Sequence, residues 1–155
     1  MSQAEQVGDL SGSVGYVLKQ VASALRAAMD AALRPMGLTV PQYACLELLG
    51  QRPRLSNAEL AKGVFVTRQS MNGVLRGLEE RGLVARAAVA PHGRALPTEL
   101  TATGRRQLQA ASAAVRAVER QMLTTLPPGA QQRLLADLAA CAAALAPSAA
   151  DPGED

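Results

Sequence analysis

The sequence has few aromatic side chains: among its 155 residues there are no Trp, two Tyr and one Phe. Almost half of the residues are nevertheless apolar, so a core has to be built mainly from Ala, Leu and Val. Ala-rich helices pack closely, but each removes little surface from water. A chain of this length is enough for one domain, and we expect association with a second copy to add to its burial.

Cysteine and histidine are equally scarce. Two cysteines, Cys45 and Cys141, are too few for a disulfide framework or a metal site, and both lie in apolar helical patterns, which favour buried thiols over a redox switch. The single histidine, His92, has no Cys or carboxylate at ligand spacing, so it predicts neither a zinc site nor a catalytic triad. No phosphate-binding glycine loop is present. An enzyme is therefore the weaker hypothesis, and the sequence indicates no cofactor and no metal.

Long apolar runs are also missing, both at the start of the chain, where a secretory signal would lie, and elsewhere, where a membrane span would need one. We expect a cytoplasmic protein without a membrane partner. The net charge of +3 is unevenly spread. Ten Lys and Arg face four Glu between Arg52 and Arg106, whereas the remainder has six against nine acidic residues. A basic middle between acidic flanks suggests that the middle binds a polyanion.

Residues 56–82 of this basic middle predict two short helices joined by a tight turn. Ser56 followed by Glu59 is a capping box, which starts a helix by satisfying free backbone N–H groups. Gly63 is predicted to end the first helix, and Gly82 the second.

The second helix is predicted to start after Thr67 and to have two different faces. One face is apolar, with side chains at steps of three and four: Met71, Val74, Leu75 and Leu78. The other is polar and lacks acids: Arg68, Gln69, Asn72 and Arg76, with Ser70 beside them. Arg and Gln match the edges of guanine and adenine, and a helix fits the major groove of B-DNA. Taken alone, such a face is more often the solvated side of an ordinary amphipathic helix.

The next segment, residues 83–101, favours the DNA interpretation. Two short runs with Val, Leu and Thr flank a turn-rich APHGR, which predicts a β-hairpin, and Pro97 confines its return strand to an edge. A hairpin directly after a recognition helix is a wing. Arg86 on its first strand and Arg94 past its tip are placed to reach a phosphate or a minor groove.

These segments resemble the MarR-type winged helix-turn-helix transcriptional regulators. The resemblance is carried by LSNAELA, by VTRQSMNGVLRGLEERGLVAR and by GRALPTELTATG. His92 departs from the family pattern, which has an acid two residues before the wing arginine, so we expect Arg94 to lack a brace and the wing tip to be looser or pH-responsive. The peroxide-sensing branch of the family has a cysteine near the start of the first helix, and this chain has none there.

Further helices are predicted on both sides of this middle, over residues 11–33, 40–50, 101–125 and from Pro127 to before Pro147. By periodicity alone, the apolar faces of the terminal helices fit a monomer core as well as a dimer interface. The resemblance implies a dimer and a mainly α fold: a winged helix-turn-helix with a small β-hairpin wing. We expect a single domain over residues 1–155, with dimerisation helices at 11–34 and 101–146, a DNA-binding lobe at 40–100 and a flexible tail at 147–155.

The resemblance further implies a homodimer that binds a pseudo-palindromic duplex operator and regulates transcription, most often as a repressor released by a small phenolic or aromatic effector. The alternative is a winged-helix module that binds an acidic protein. Tyr16 and Tyr43 are candidates to line an effector pocket, although Tyr43 fits the core slightly better. The predicted DNA-binding residues are Arg52, Arg54, Lys62, Thr67, Arg68, Gln69, Ser70, Asn72, Arg76, Arg86, His92 and Arg94.

Overall fold

A computed structural model describes residues 9–86 and 97–147. The elements in chain order are α1 Val14–Leu33, α2 Val40–Gln51, α3 Asn57–Val64, α4 Arg68–Glu80, β1 Val84–Arg86, β2 Thr98–Leu100, α5 Ala102–Met122 and α6 Pro128–Leu145. The predicted fold class, mainly α with a helix-turn-helix and a small hairpin, is confirmed. No helix within the described residues is long and apolar enough to cross a membrane.

Side-chain caps start four of the helices where the sequence predicted them. Thr39 with Gln42 forms a complete capping box at α2, and Ser56 with Glu59 does so at α3. Thr67 caps α4, and the Thr101 hydroxyl accepts the Gly104 N–H at the start of α5 (3.0 Å). Each cap satisfies a backbone donor that would otherwise be free at a helix N-terminus.

The first helix starts later than its periodicity predicts. Asp9 accepts the N–H of Ser11 (3.1 Å), and the chain forms a short 3-10 turn over Leu10–Gly12. Ser13 then has extended backbone angles and caps α1, its hydroxyl accepting the N–H of Tyr16. Because Asp9 caps the 3-10 turn and Ser13 caps α1, residues 11–13 at the predicted start do not belong to α1.

The predicted role of Gly63 is wrong, because α3 continues through it to Val64. A Cβ added to Gly63 would lie 2.4 Å from Cδ2 of Leu48, so this glycine allows α3 to pack closely against α2. The left-handed residue that ends α3 is Phe65, with φ 62°. At the end of α4 the prediction is confirmed, since Gly82 has φ 71°.

The two strands of the hairpin are antiparallel, with Val84 opposite Leu100 and Arg86 opposite Thr98. Leu55 extends the pairing, since its carbonyl accepts the N–H of Thr98 (2.9 Å). The hairpin is thereby tied to the loop that precedes α3.

One core joins helices α1 to α5 and the two strands. Its fully buried large side chains come from several elements: Leu33 from α1, Leu46 from α2, Leu60 from α3, and Met71, Leu75 and Leu78 from α4. Gly104 lets α5 approach β1, because a Cβ there would lie 1.9 Å from the carbonyl oxygen of Leu83. The core therefore fixes the orientation of α4, with its polar face toward solvent.

The chain divides into two compact units, of which the first ends at Glu119 and the second begins at Arg120. In the second unit, the Gln131 side chain donates to the carbonyls of Leu123 (3.2 Å) and Leu126 (2.9 Å) and so fixes the turn before α6. Helix α6 has no buried residue, and Leu135 and Leu145 are 73% and 87% exposed.

The terminal helices thus carry apolar side chains that the described residues of one chain leave in solvent. On and before α1 these are Leu10, Val14, Tyr16, Val17, Leu18 and Val21, and on α6 they are Leu135, Leu138 and Leu145. Apolar side chains grouped in this way are typical of an interaction surface. The prediction of two buried thiols is confirmed for Cys45 and wrong for Cys141, which is exposed because it lies on α6.

Candidate nucleic-acid interface

Helix α4 separates its two faces as the sequence predicts. Met71, Leu75 and Leu78 are completely buried. Four side chains on the other side are exposed, and we call them the polar face of α4: Arg68, Gln69, Asn72 and Arg76. The helix is thus anchored along one side by the core and presents hydrogen-bond donors along the other.

The N-terminal end of α4 is ordered by its own cap. The hydroxyl of Thr67 accepts the N–H of Ser70 and donates to the Ser70 hydroxyl, each at 3.0 Å. Thr67 is therefore engaged inside the helix start, whereas the Ser70 hydroxyl keeps its own hydrogen for a further partner. The positive end of the helix dipole adds to the charge of Arg68 at this place, which suits a phosphate or an electronegative base edge.

Asn72 is held by a residue that the sequence analysis did not single out. The side-chain amide of Asn57, at the first position of α3, donates to Oδ1 of Asn72. This bond joins the two helices of the helix-turn-helix and sets the direction of the Asn72 amide. Oδ1 of Asn57 is buried and has no hydrogen-bond partner among the described residues. The two residues are fifteen positions apart, and neither helical periodicity nor capping patterns link them.

Two of the predicted phosphate ligands form ion pairs within the chain. Nε of Arg54 lies 3.2 Å from Oε1 of Glu99, and Nε of Arg86 lies 2.9 Å from Oε1 of Glu79. The four side chains are between 37% and 56% exposed, so each pair contributes less than about 1 kcal/mol to stability. Their effect is on the local charge, because Arg86 offsets the acid at the C-terminal end of the polar face.

Arg81 has a structural role that its place among exposed charges does not reveal. Its guanidinium donates to the carbonyl of Gly37 (2.7 Å) and to that of Met36 (3.1 Å). These bonds connect the end of α4 to the turn between α1 and α2, and so help to hold α4 in place.

Of the remaining predicted DNA ligands, the structure describes some and not others. Arg52 and Lys62 are exposed, at the end of α2 and in the last turn of α3. His92 and Arg94 lie outside the described residues. Within the part of the chain that the structure describes, Arg68 and Arg76 have no carboxylate at salt-bridge distance. Seven Lys and Arg against three Glu between Arg52 and Arg86 leave this region positively charged.

The two tyrosines have different surroundings. Tyr16 is 42% exposed on α1, whereas Tyr43 is 6% exposed in the core and donates its hydroxyl hydrogen to Glu47 of the same helix. Burial, and then the bond to Glu47, raises the pKa of Tyr43 to about 12. Tyr43 is thus a buried, neutral hydrogen-bond donor at neutral pH. Its surroundings agree with the core interpretation.

No group of three or more His, Cys, Asp or Glu side chains in the described ranges could hold a metal ion. The chemistry available at the polar face of α4 is hydrogen bonding and positive charge, not ligation. Such a surface recognises an acceptor-rich polyanion.

Comparisons with known proteins agree with this description. The family model of the MarR family matches residues 36–95. The HTH-type transcriptional repressor Rv2887 of Mycobacterium tuberculosis is 50% identical over 113 residues, which are 73% of this chain and 81% of the relative. The crystal structure of Rv2887 in complex with DNA matches with a TM-score of 0.71 and 43% identity, over 82% of this chain and 98% of that chain.

A second crystal structure of Rv2887, in complex with salicylic acid, matches with a TM-score of 0.71 and 45% identity, over 84% of this chain and 96% of that chain. The identity to the repressor extends over most of both chains. The chain therefore belongs to the MarR family of transcriptional regulators.

Proposed function

We propose that the protein is a homodimeric repressor that binds a pseudo-palindromic duplex operator, with α4 in the major groove, and releases it on binding a small aromatic effector. The observation that carries this proposal is the polar face of α4, whose four residues are exposed and not acidic, while Met71, Leu75 and Leu78 on the opposite side are fully buried. The DNA complex of Rv2887 supports the same use of the fold.

In this proposal α4 reads bases and the flanking cations bind phosphates. Gln69 and Asn72 have the amide geometry for adenine, and Arg68 and Arg76 have the guanidinium geometry for guanine. Thr67 and Ser70 contact the adjacent backbone at the helix N-terminus. Phosphate contacts come from the remaining predicted ligands: Arg52, Arg54, Lys62, Arg86, His92 and Arg94.

A dimer follows from the apolar side chains that α1 and α6 leave exposed. A second copy related by a two-fold axis would cover them and present two α4 helices to one side of a duplex. The chain then acts as one domain, with dimerisation helices at residues 11–34 and 101–146, a DNA-binding lobe at 40–100 and a tail at 147–155.

The effector is a small aromatic acid or phenol, by analogy with the salicylic acid complex of Rv2887. Tyr16 is the more accessible candidate ligand, and Tyr43 contributes through its hydrogen-bonded hydroxyl if α2 moves. The protein acts in the cytoplasm as a non-enzymatic regulator. The alternative, binding of an acidic protein by the same face, predicts that duplex DNA without the operator competes as well as the operator does.

The test compares Gln69→Ala with Arg94→Ala on a duplex selected by the wild-type protein from a random library. Gln69→Ala removes an amide but no charge, so we expect a loss of about 1 to 3 kcal/mol on the selected duplex, little loss on random duplex and an unchanged salt dependence. Arg94→Ala removes a cation from each wing. It should weaken binding to both duplexes and flatten log K against log salt by about 0.9 per lost phosphate contact.

The matched control is Gln109→Ala, which removes an exposed amide from α5. It should bind both duplexes as the wild type does. An equal loss on selected and random duplex for Gln69→Ala would show that α4 does not read sequence. An unchanged salt dependence for Arg94→Ala would show that the hairpin is not a DNA wing.

A further inference from the structure

Phe65, in the turn between α3 and α4, has an exposed aromatic ring and a left-handed backbone, both of which are unusual for a phenylalanine. It is the only phenylalanine of the chain, and its side chain is 94% exposed. Its backbone is left-handed, with φ 62° and ψ 40°. A bulky residue with positive φ is a steric outlier, and an exposed aromatic ring gains nothing from burial.

Two other turns in the same chain show what this position normally holds. Leu38 donates to the carbonyl of Leu33, and Leu83 donates to that of Leu78, in the same six-residue pattern in which Val66 donates to the carbonyl of Ala61. The left-handed residue is Gly37 in the first turn and Gly82 in the second. Glycine suits this position because it has no Cβ to clash. The turn between α3 and α4 is built in the same way with Phe65 at that place.

The location of Phe65 indicates which interaction offsets the steric cost of its left-handed backbone. It precedes Thr67, the cap of α4, by two residues, so its Cα lies within about 7 Å of that residue's Cα. The N-terminal part of a recognition helix is the part that contacts base edges. Lys62, three residues before Phe65, and Arg68, three residues after it, are exposed cations, so proposed phosphate and base ligands flank the ring along the chain.

We propose that Phe65 is a further DNA-contact residue, whose ring packs against the C5-methyl group of a thymine in each half-site. This inference rests on the proposed DNA-binding function. The thymine methyl is the apolar group that base edges present in the major groove, and Phe is among the side chains that contact it. Because the side chain protrudes from the turn, the contact would extend the readout beyond the polar face of α4.

The experiment replaces each thymine of the selected duplex in turn by deoxyuridine, which lacks only the methyl group. For the wild-type protein, one position per half-site should lower affinity about fourfold for each methyl removed, which corresponds to one buried methylene. Phe65→Gly should bind the thymine duplex more weakly and should not distinguish thymine from uracil at that position. Phe65→Tyr, which keeps the ring, should retain the discrimination.

Thermal unfolding separates this role from a structural one. Glycine suits the left-handed backbone, so Phe65→Gly should unfold at the same temperature as the wild type or above it. Phe65→Asn, which also tolerates this backbone, should behave in the same way and likewise lose the discrimination. A lower unfolding temperature together with equal losses on all duplexes would assign Phe65 to the fold and overturn the proposal.

The remaining outcomes separate the inference from the function on which it rests. If the wild-type protein does not prefer its selected duplex to random DNA, the proposed function fails. If it shows that preference and deoxyuridine has no effect at any position, or Phe65→Gly still distinguishes thymine from uracil, the thymine contact is wrong. Unchanged binding of every duplex by Phe65→Gly would also overturn it and would direct attention to a protein partner.

Discussion

Helices α4 and α6 both have apolar residues at steps of three and four, but within the described residues only α4 buries any of them. In α4 the side chains of Met71, Leu75 and Leu78 are completely buried. In α6 no residue is buried, and Leu135 and Leu138 are 73% and 42% exposed. An amphipathic pattern thus predicts that a helix has an apolar side, but it does not predict whether the same chain or a second copy covers that side.

The largest effect should come from adding a charge to the uncovered side. We expect Leu138→Glu to dissociate the dimer at micromolar concentration, because a carboxylate would be buried in the interface without a partner. Operator affinity should fall by more than about a hundredfold, since the two half-sites are no longer bound together. Sedimentation and binding to the selected duplex measure the two effects.

The control for this variant is Gln132→Glu, which adds the same charge at an exposed polar position of α6. It should remain dimeric and bind the operator normally. The circular dichroism of Leu138→Glu should stay helical, because the core around α4 does not include α6. A stable Leu138→Glu dimer would mean that the apolar side of α6 is not the interface.

Sequence reasoning predicted local features well because they depend on neighbouring residues. The capping box at Ser56 and the two faces of α4 need only spacings of three and four residues. The role of Gly63 depends instead on Leu48 of another helix. A glycine near the end of a helical pattern looks like a stop signal whether it ends the helix or admits a neighbour.

The features of the candidate site also divide into those that depend on local spacing and those that depend on contacts between separate elements. Exposure of Gln69 followed from periodicity, whereas the bond between Asn57 and Asn72 and the pairing of Arg86 with Glu79 depend on how separate elements meet. The left-handed backbone of Phe65 was not predicted either, because a glycine, Gly63, was expected to end α3. Tertiary contacts of this kind have no signature in a single sequence.

An intermediate effect is expected at Gly73, which lies on the exposed side of α4 next to Asn72. A Cβ added to it would have nothing within 4 Å, so no contact within the described chain requires glycine there. Gly73→Ala should raise the free energy of unfolding by about 1 kcal/mol, the usual difference between Ala and Gly inside a helix. It should also weaken operator binding, because the added methyl group would stand between the helix backbone and the base edges.

Urea unfolding and binding to the selected duplex measure these opposite changes. Gly15→Ala, a change at an exposed glycine of α1 that also has nothing within 4 Å, is the control: it should not destabilise the protein and should leave DNA binding unchanged. Unaltered or tighter operator binding by Gly73→Ala would show that the α4 backbone does not approach DNA closely at this point.

The smallest effect on function is expected from the two cysteines, which sample the covered and uncovered regions. Cys45 is completely buried in α2, and burial raises the pKa of its thiol to about 12. Cys141 is exposed on α6. Because the thiolate is the reactive form, Cys45 should not react with a disulfide reagent at pH 8 while the protein is folded. Cys141 should react rapidly in the monomeric Leu138→Glu variant and more slowly in the wild-type dimer, because the proposed dimer interface includes α6.

Cys141→Ser should abolish the rapid reaction and leave operator affinity unchanged, since none of the proposed DNA contacts involves α6. The sign of the pKa change sets the behaviour of Cys45 in alkali. Its neutral form is favoured in the folded state, so its contribution to stability is complete below pH 9 and is lost as the pH rises toward about 12. Rapid reaction of Cys45 at pH 8 in the folded protein would contradict the prediction that its thiol is unreactive. It would show that the core around α4 opens more easily than the burial of Cys45 implies. Equal rates for Cys141 in the dimer and the monomeric variant would instead show that a second copy does not cover that side of α6.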